Sequence, residues 1–254
     1  MWVYCVNVNR ELADDEFRDL AGTLEPGVAE RIARIAHRES AVRALLSDLL
    51  ARSMLASHSA VSPSSLEFSV GQHGKPGLVS SRWQYNISHS GEWVVCGVSE
   101  TQPVGVDVEH VREPNLRVAR RYFHPRELER LMRQTETERA GTFFDIWTAK
   151  ESFLKAVGIG ISVALNSFWS DDETRTVSID DPLPFARLGV DIESGWCFDL
   201  LPLDADYRLA ACSQVREELR CVRLDVDELL RLWRSMITGN TQGVDLWRNT
   251  RMWS

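Results

Sequence analysis

The sequence lacks the features that mark membrane proteins, disulfide scaffolds and nonspecific nucleic-acid binders. No run approaches the roughly 20 apolar residues that a membrane span needs. The cysteines are five in number, Cys5, Cys96, Cys197, Cys212 and Cys221. Their count is odd, their spacing wide, and no CxxC pair occurs, which excludes a zinc site or a disulfide framework. Cys96 and Cys212 fall inside apolar strand-like runs, where free thiols are commonly buried, and the pattern suits a reducing cytoplasm. The opening MWVYCVNVN has neither a basic flank nor a long apolar run, so it reads as a first strand and not as a signal peptide. Positive charge is in deficit: 29 Lys and Arg stand against 37 Asp and Glu, a net charge of −8. That balance argues against nonspecific nucleic-acid binding. It leaves local basic clusters free to hold a phosphorylated small molecule or an acidic protein partner.

Hydrophobic residues make up 44% of the 254, enough for the packed core of a soluble globular protein. A helical region is expected from about Pro26 to Ser57, with Val42, Leu45, Leu46 and Leu49 on one buried face. Turn chemistry at Ser62-Pro63-Ser64-Ser65 ends it. Strands are expected at Leu66–Val70, Gln84–Ser88 and Trp93–Val98, the first two separated by a glycine-rich loop over 71–77. After a joint at Thr101-Gln102-Pro103 the order repeats: strand Val104–Val108, helices near Arg117–Arg133 and Thr142–Val157, then strands near Phe168, Trp196–Leu200 and Tyr207–Cys212. The fold class expected is therefore α+β, with two similar strand-helix-multistrand halves, 1–103 and 104–216. A ligand cleft belongs naturally at their junction. Residues 217–254 read as a C-terminal extension without an assigned role, in which Val226, Leu229, Leu230 and Trp233 suit one or two amphipathic turns.

Four segments carry chemistry. In Gly105-Val106-Asp107-Val108-Glu109 the two carboxylates share one face of a strand, and adjacent carboxylates repel unless a cation lies between them. A strand with one solvated face would look the same. In Trp147–Lys155, the residues Trp147, Glu151 and Lys155 form one helical stripe at i, i+4 and i+8; a surface ion pair between Glu151 and Lys155 is the plain alternative. Asn86-Ile87-Ser88-His89-Ser90-Gly91 offers hydroxyls, an imidazole and backbone amides at a strand end, suited to an anion, or to an ordinary turn. Arg31, Arg34 and Arg38 line one side of a helix, with Arg43 and Lys75 nearby in sequence, and guanidinium forks suit phosphate.

Together these segments resemble the 4′-phosphopantetheinyl transferases of the large, single-chain kind that serve peptide and polyketide synthases. The resemblance rests on Gly74-Lys75-Pro76, Tyr85-Asn86-Ile87-Ser88-His89-Ser90, Gly105 to Glu109, and Trp147 to Lys155, in the family's order from about residue 38 to 213. It implies two α+β halves with the active site between them; one chain carrying both halves suggests a monomer, and the cysteine pattern a cytoplasmic enzyme. It implies magnesium held by Asp107, Glu109 and Glu151, with coenzyme A contacted by Arg31, Arg43, Lys75, Ser88, His89, Lys150 and Lys155. Val28 departs from the pattern, a lysine being frequent there. The reaction implied is attack by a serine of an apo carrier protein from a peptide, polyketide or fatty acid synthase on the β-phosphorus of coenzyme A. It releases 3′,5′-adenosine bisphosphate and employs Asp107, Glu151 and Lys155 as catalytic groups. The carrier's acidic helix is expected on Arg117, Arg120, Arg121 and Tyr122. Two other readings share these residues: a metal-dependent nucleotide phosphohydrolase, and a non-catalytic binder of coenzyme A or carrier protein.

Overall fold

A continuous apolar run, Trp2 to Val6, makes Trp2–Asn7 (β1) a strand buried on both faces, and it becomes the middle of a five-stranded sheet. The computed structural model describes residues 1–239 and the backbone of 252–253. After β1 come helices α1 (Asp14–Ala21), α2 (Pro26–Ala33) and α3 (Arg38–Ser59), then strands β2 (Phe68–Val70), β3 (Pro76–Leu78), β4 (Gln84–Ser90) and β5 (Trp93–Ser99). The second half runs β6 (Val104–His110), α4 (Leu116–Tyr122), α5 (Pro125–Arg133), α6 (Glu136–Val157), β7 (Phe168–Asp171), β8 (Thr176–Ile179), α7 (Leu183–Ala186), β9 (Cys197–Leu201) and β10 (Tyr207–Ser213). The chain then returns to the first half with β11 (Arg220–Asp225), α8 (Val226–Ile237) and β12 (Met252–Trp253).

One sheet has the order β12-β11-β1-β5-β4 and the other β6-β10-β9-β8-β7, while β2 and β3 pair by themselves. β1 is antiparallel to β5, and β5 to β4. Likewise β6 is antiparallel to β10, and β10 to β9. The same three-strand pattern thus occurs twice, each time with a 22-residue helix, α3 or α6, which gives physical form to the expected pair of halves.

Of the four apolar clusters among the described residues, three bear on how the halves are built and joined. Leu45, Leu46, Leu49, Leu50 and Met54 of α3 pack with Leu229, Leu230 and Trp233 of α8. Phe153 of α6 packs with Phe168, Phe185, Trp196 and Phe198. Between them lies a third cluster, in which Val3, Cys5 and Val95 of the first sheet meet Val106, Val108, Leu209 and Ala211 of the second. The two sheets therefore join through buried apolar surface, which gives about 25 cal/mol per Å² removed from water. Gln102 locks the joint: its amide donates to the carbonyl of Val215 at 3.0 Å and accepts from the amide of Val215 at 2.7 Å.

Three local expectations differ from the structure. The helix read from Pro26 to Ser57 is two helices, interrupted at residues 34–37. The helix read from Arg117 to Arg133 is also two. His124 caps α5 through a reciprocal pair with Glu127, and Pro125 occupies its first turn, where a missing N–H costs nothing. The segment from 217 onward, read as an extension, instead supplies β11, parallel to β1, and the buried face of α8. All five cysteines are free and buried. Among the described residues no helix is long and apolar enough to cross a membrane.

Candidate active site

Among the described residues no strand pairs with the outer edge of β6. Its amides need partners nonetheless, because a buried N–H left unpaired is costly. Side chains of β4 supply them: Val106 N–H donates to Asn86 Oδ1 at 2.9 Å, Val108 N–H to Ser88 Oγ at 3.2 Å, and His110 N–H to Ser90 Oγ at 3.1 Å. Residues two apart on a strand share a face, so Asn86, Ser88 and Ser90 form a comb that stitches one half to the other.

The acids of β6 hang from the same comb. Ser88 Oγ donates to Asp107 Oδ1 at 3.0 Å, and Ser90 Oγ to Glu109 Oε2 at 3.1 Å. From α6, Lys155 Nζ donates to Asp107 Oδ1 at 2.6 Å and to Ser88 Oγ at 3.0 Å. Burial pushes the Asp107 carboxyl up to about 7, against the pull of Lys155 and with a smaller push from Glu109 and Glu151. Its second oxygen, Oδ2, is buried without a hydrogen-bond partner. Burial also raises Glu151, opposed by Lys155. Ser88, His89, Asp107, Glu109, Trp147, Glu151 and Lys155 all line one cavity of about 390 Å³. The stripe expected from Trp147, Glu151 and Lys155 thus faces the strand acids. Among the described residues, however, no three His, Cys, Asp or Glu side chains stand close enough to hold an ion as they are now arranged.

Gly105 explains how α6 comes so near. A Cβ there would collide with the Ser152 carbonyl and the Ala156 amide, so helix and strand backbones meet without side chains between them. Glycine alone permits such an approach, and it brings Glu151 and Lys155 over Asp107.

The chain contains only three lysines, Lys75, Lys150 and Lys155, every other side-chain cation of this class being arginine. All three were expected at coenzyme A, and the structure separates them. Lys155 faces the cavity. Lys150 is fully buried, 2.8 Å from Glu127 Oε2, and donates to the Phe168 carbonyl at 2.6 Å. Burial lowers its pKa while Glu127 opposes the shift. Lys150 is therefore part of the core and does not reach the cavity; removing one member of such a buried pair costs about 3–5 kcal/mol. Lys75 donates from the β2–β3 loop to the carbonyls of Val104 and Ala156 at 3.1 and 2.7 Å. It ties the start of β6 to the end of α6, and burial lowers its pKa to about 8. Gly158, in the left-handed region at φ 74°, ends α6 and leaves room for the lysine stem. A compact ammonium suits these sites, since it can aim several donors at converging carbonyls.

The remaining expected contacts are dispersed. Ser88 is nearly buried, and its hydroxyl is already committed to Val108, Asp107 and Lys155, so it organises the site from within the protein. Arg31 is exposed and paired with Asp48 at 2.8 Å, outside the acid-lined cavity. Arg43 lines a larger cavity of about 580 Å³ with Arg38, Gly91 and Glu92. Desolvation lowers the pKa of His89, and the charge of Arg43 lowers it further, which makes the two neighbours. In the sequence Asn86 and Ser90 read as part of an anion-binding strand end or a turn, and not as partners of β6; their alternation along β4 was the available signal for a comb.

Fold and seam define a class: a two-half α+β protein whose carboxylates and one lysine gather where the halves meet. A family model described as the 4′-phosphopantetheinyl transferase superfamily matches residues 103–212, and one described as 4′-phosphopantetheinyl transferase, N-terminal, matches 11–101. The 4′-phosphopantetheinyl transferase Sfp of Bacillus subtilis (strain 168) is 32% identical over 215 residues, covering 84% of this chain and 92% of that protein. The 4′-phosphopantetheinyl transferase gsp of Aneurinibacillus migulanus is 35% identical over 173 residues, covering 68% and 72%. The 4′-phosphopantetheinyl transferase ffp of Bacillus subtilis is 34% identical over 169 residues, covering 66% and 75%. The chain belongs to the 4′-phosphopantetheinyl transferase family.

Proposed function

We propose that this chain transfers the 4′-phosphopantetheine of coenzyme A to a serine of an apo carrier protein, with magnesium as its metal. The observation that carries the reading is the meeting of Asp107, Glu109, Glu151 and Lys155 in one cavity at the seam. The donor set fits the metal in kind, since magnesium is a hard cation that takes a few carboxylates together with phosphate oxygens and water. The unpartnered Oδ2 of buried Asp107 is the donor best explained by a cation. Asp107, Glu109 and Glu151 would hold it. Bound there, it would offset negative charge on the pyrophosphate.

The chain's own residues account for the rest. The carrier's serine oxygen bonds to the β-phosphorus as the bond to 3′,5′-adenosine bisphosphate breaks. Glu151, made more basic by burial, takes the serine proton. Lys155 moves its ammonium from Asp107 to the charge that grows on the phosphates, the main demand in such transfers. His89, on the acid-lined cavity, and Arg43, on the larger one, suit the nucleotide's phosphate. The carrier docks on α4, where Arg117, Arg120 and Arg121 are exposed. Asn115 caps that helix, and a groove of about 450 Å³ with Arg120, Phe123, Leu128 and Met132 runs beside it. An acidic helix with an apolar face matches that surface.

The test is the intact mass of an apo carrier protein after incubation with this protein, coenzyme A and magnesium. A gain of one phosphopantetheine, lost on chelation, is the expected result. No gain with carriers from several kinds of synthase, despite coenzyme A binding, would reduce the protein to a binder. Loss of coenzyme A without an acceptor would mark a hydrolase.

A further inference from the structure

The hydroxyl of Ser90 repeats, two residues along β4, what the hydroxyl of Ser88 does. Ser88 accepts from the amide of Val108 and donates to Asp107. Ser90 accepts from the amide of His110 and donates to Glu109. In each case the amide belongs to the residue directly after the acid. A hydroxyl has a single proton; with the strand amide facing its oxygen, that proton is directed to the carboxylate. Asn86, at the head of the row, takes the amide of Val106 alone, and the residue before Val106 is Gly105, which has no carboxylate. Contact with the strand is thus common to all three teeth of the comb. Contact with a carboxylate occurs only where β6 carries an acid.

The two acids differ in what else holds them. Asp107 is buried and has Lys155 as a second partner. Glu109 is half-buried with a longer, freer side chain. Among the described residues no lysine or arginine pairs with it, and Ser90 is its one hydrogen-bond partner. Without Ser90, nothing on the strand fixes which way that carboxylate points.

We propose that Ser90 is a positioning residue that holds Glu109 toward the shared cavity and so sets the affinity of the site for a divalent cation. The proposal rests on the reading of Glu109 as one of the metal-holding acids. Hydrogen-bond partners of metal-binding side chains commonly change metal affinity by about 10–100-fold when removed.

The test uses the full chain with coenzyme A present and Mn²⁺ as the probe, its free concentration read by electron paramagnetic resonance. Ser90→Ala is expected to weaken Mn²⁺ binding about tenfold. Its melting temperature stays within a few degrees of the parent, because the amide of exposed His110 can turn to water. Transfer by this variant recovers when Mn²⁺ is raised to saturation, so the defect lies in metal affinity and not in kcat. Ser90→Thr keeps the hydroxyl and restores binding. Glu109→Gln, measured alongside, weakens binding at least as much. Parent-like Mn²⁺ affinity in Ser90→Ala, with affinity lost in Glu109→Gln, would overturn the proposal and leave Ser90 a stitch between strands. Parent-like affinity in Glu109→Gln would instead remove Glu109 from the metal site, and the proposal with it.

Discussion

β1 and β6 occupy matching places in their halves, and they differ in what borders them. Each is antiparallel to the last strand of its own repeat. On its other edge β1 has β11, a full main-chain neighbour that pairs over six residues. β6 has the side chains of Asn86, Ser88 and Ser90. The filled edge serves stability: β11 closes the sheet, and α8 buries Leu229, Leu230 and Trp233 beneath α3. The stitched edge serves chemistry, because a side-chain comb satisfies strand amides while leaving carboxylates and a lysine beside a cavity. One architecture used twice has been completed as structure in one half and left open as a site in the other.

Substitutions on the two edges should separate cleanly. Asp107→Ala, at the stitched edge, is expected to lower kcat by about a hundredfold or more. It should cost little stability, since it removes a buried carboxyl with one unpartnered oxygen; calorimetry and turnover on the same sample check both. Leu229→Ala, at the filled edge, should do the reverse. It is expected to cost about 2–5 kcal/mol in urea unfolding with kcat kept at temperatures where the variant stays folded. A large kcat loss in Leu229→Ala would break the comparison.

Lys75 bridges the halves and sharpens the picture through pH. Its pKa lies near 10.5 when exposed and is lowered to about 8 in the fold. Between those values the unfolded chain holds a proton that the folded chain lacks, so stability gains from this group as pH rises through that window. The difference in unfolding free energy between the parent and Lys75→Met should therefore shift in the parent's favour from pH 7.5 to about pH 10. A flat difference would mean that the ammonium is solvated and does not clasp β6 to α6. The smallest effect is expected away from the seam. Reversing charge at Arg120 and Arg121 should raise KM for the carrier by several-fold to about tenfold and leave KM for coenzyme A unchanged; an equal rise in both would remove α4 from the docking surface.

Much of this was legible in the residues. Alternation placed Asp107 and Glu109 on one face of β6, helical spacing placed Trp147, Glu151 and Lys155 on one stripe, and the order of elements gave two halves. Sequence alone did not separate the three lysines. Lys150 is one residue from Glu151 but on another face of α6, and its partner Glu127 lies on a different helix. Lys75 is near its carbonyl partners only after the halves have met. The partnership of β11 with β1 joins residues more than 200 positions apart, which no local pattern encodes. The end of α4 was missed although Pro125 announces it, because the flanking apolar residues kept helical spacing. The break at residues 34–37 contains neither glycine nor proline to signal it.

The central claim is that the acids at the seam carry the transfer, and Glu151 tests it most directly. The measurement is the single-turnover rate of phosphopantetheine transfer to a carrier protein by Glu151→Gln at saturating coenzyme A and metal. The account predicts a fall of about 10²–10⁴-fold with an unchanged melting temperature and coenzyme A still bound. A rate within a few-fold of the parent would take Glu151 out of the chemistry and contradict the account.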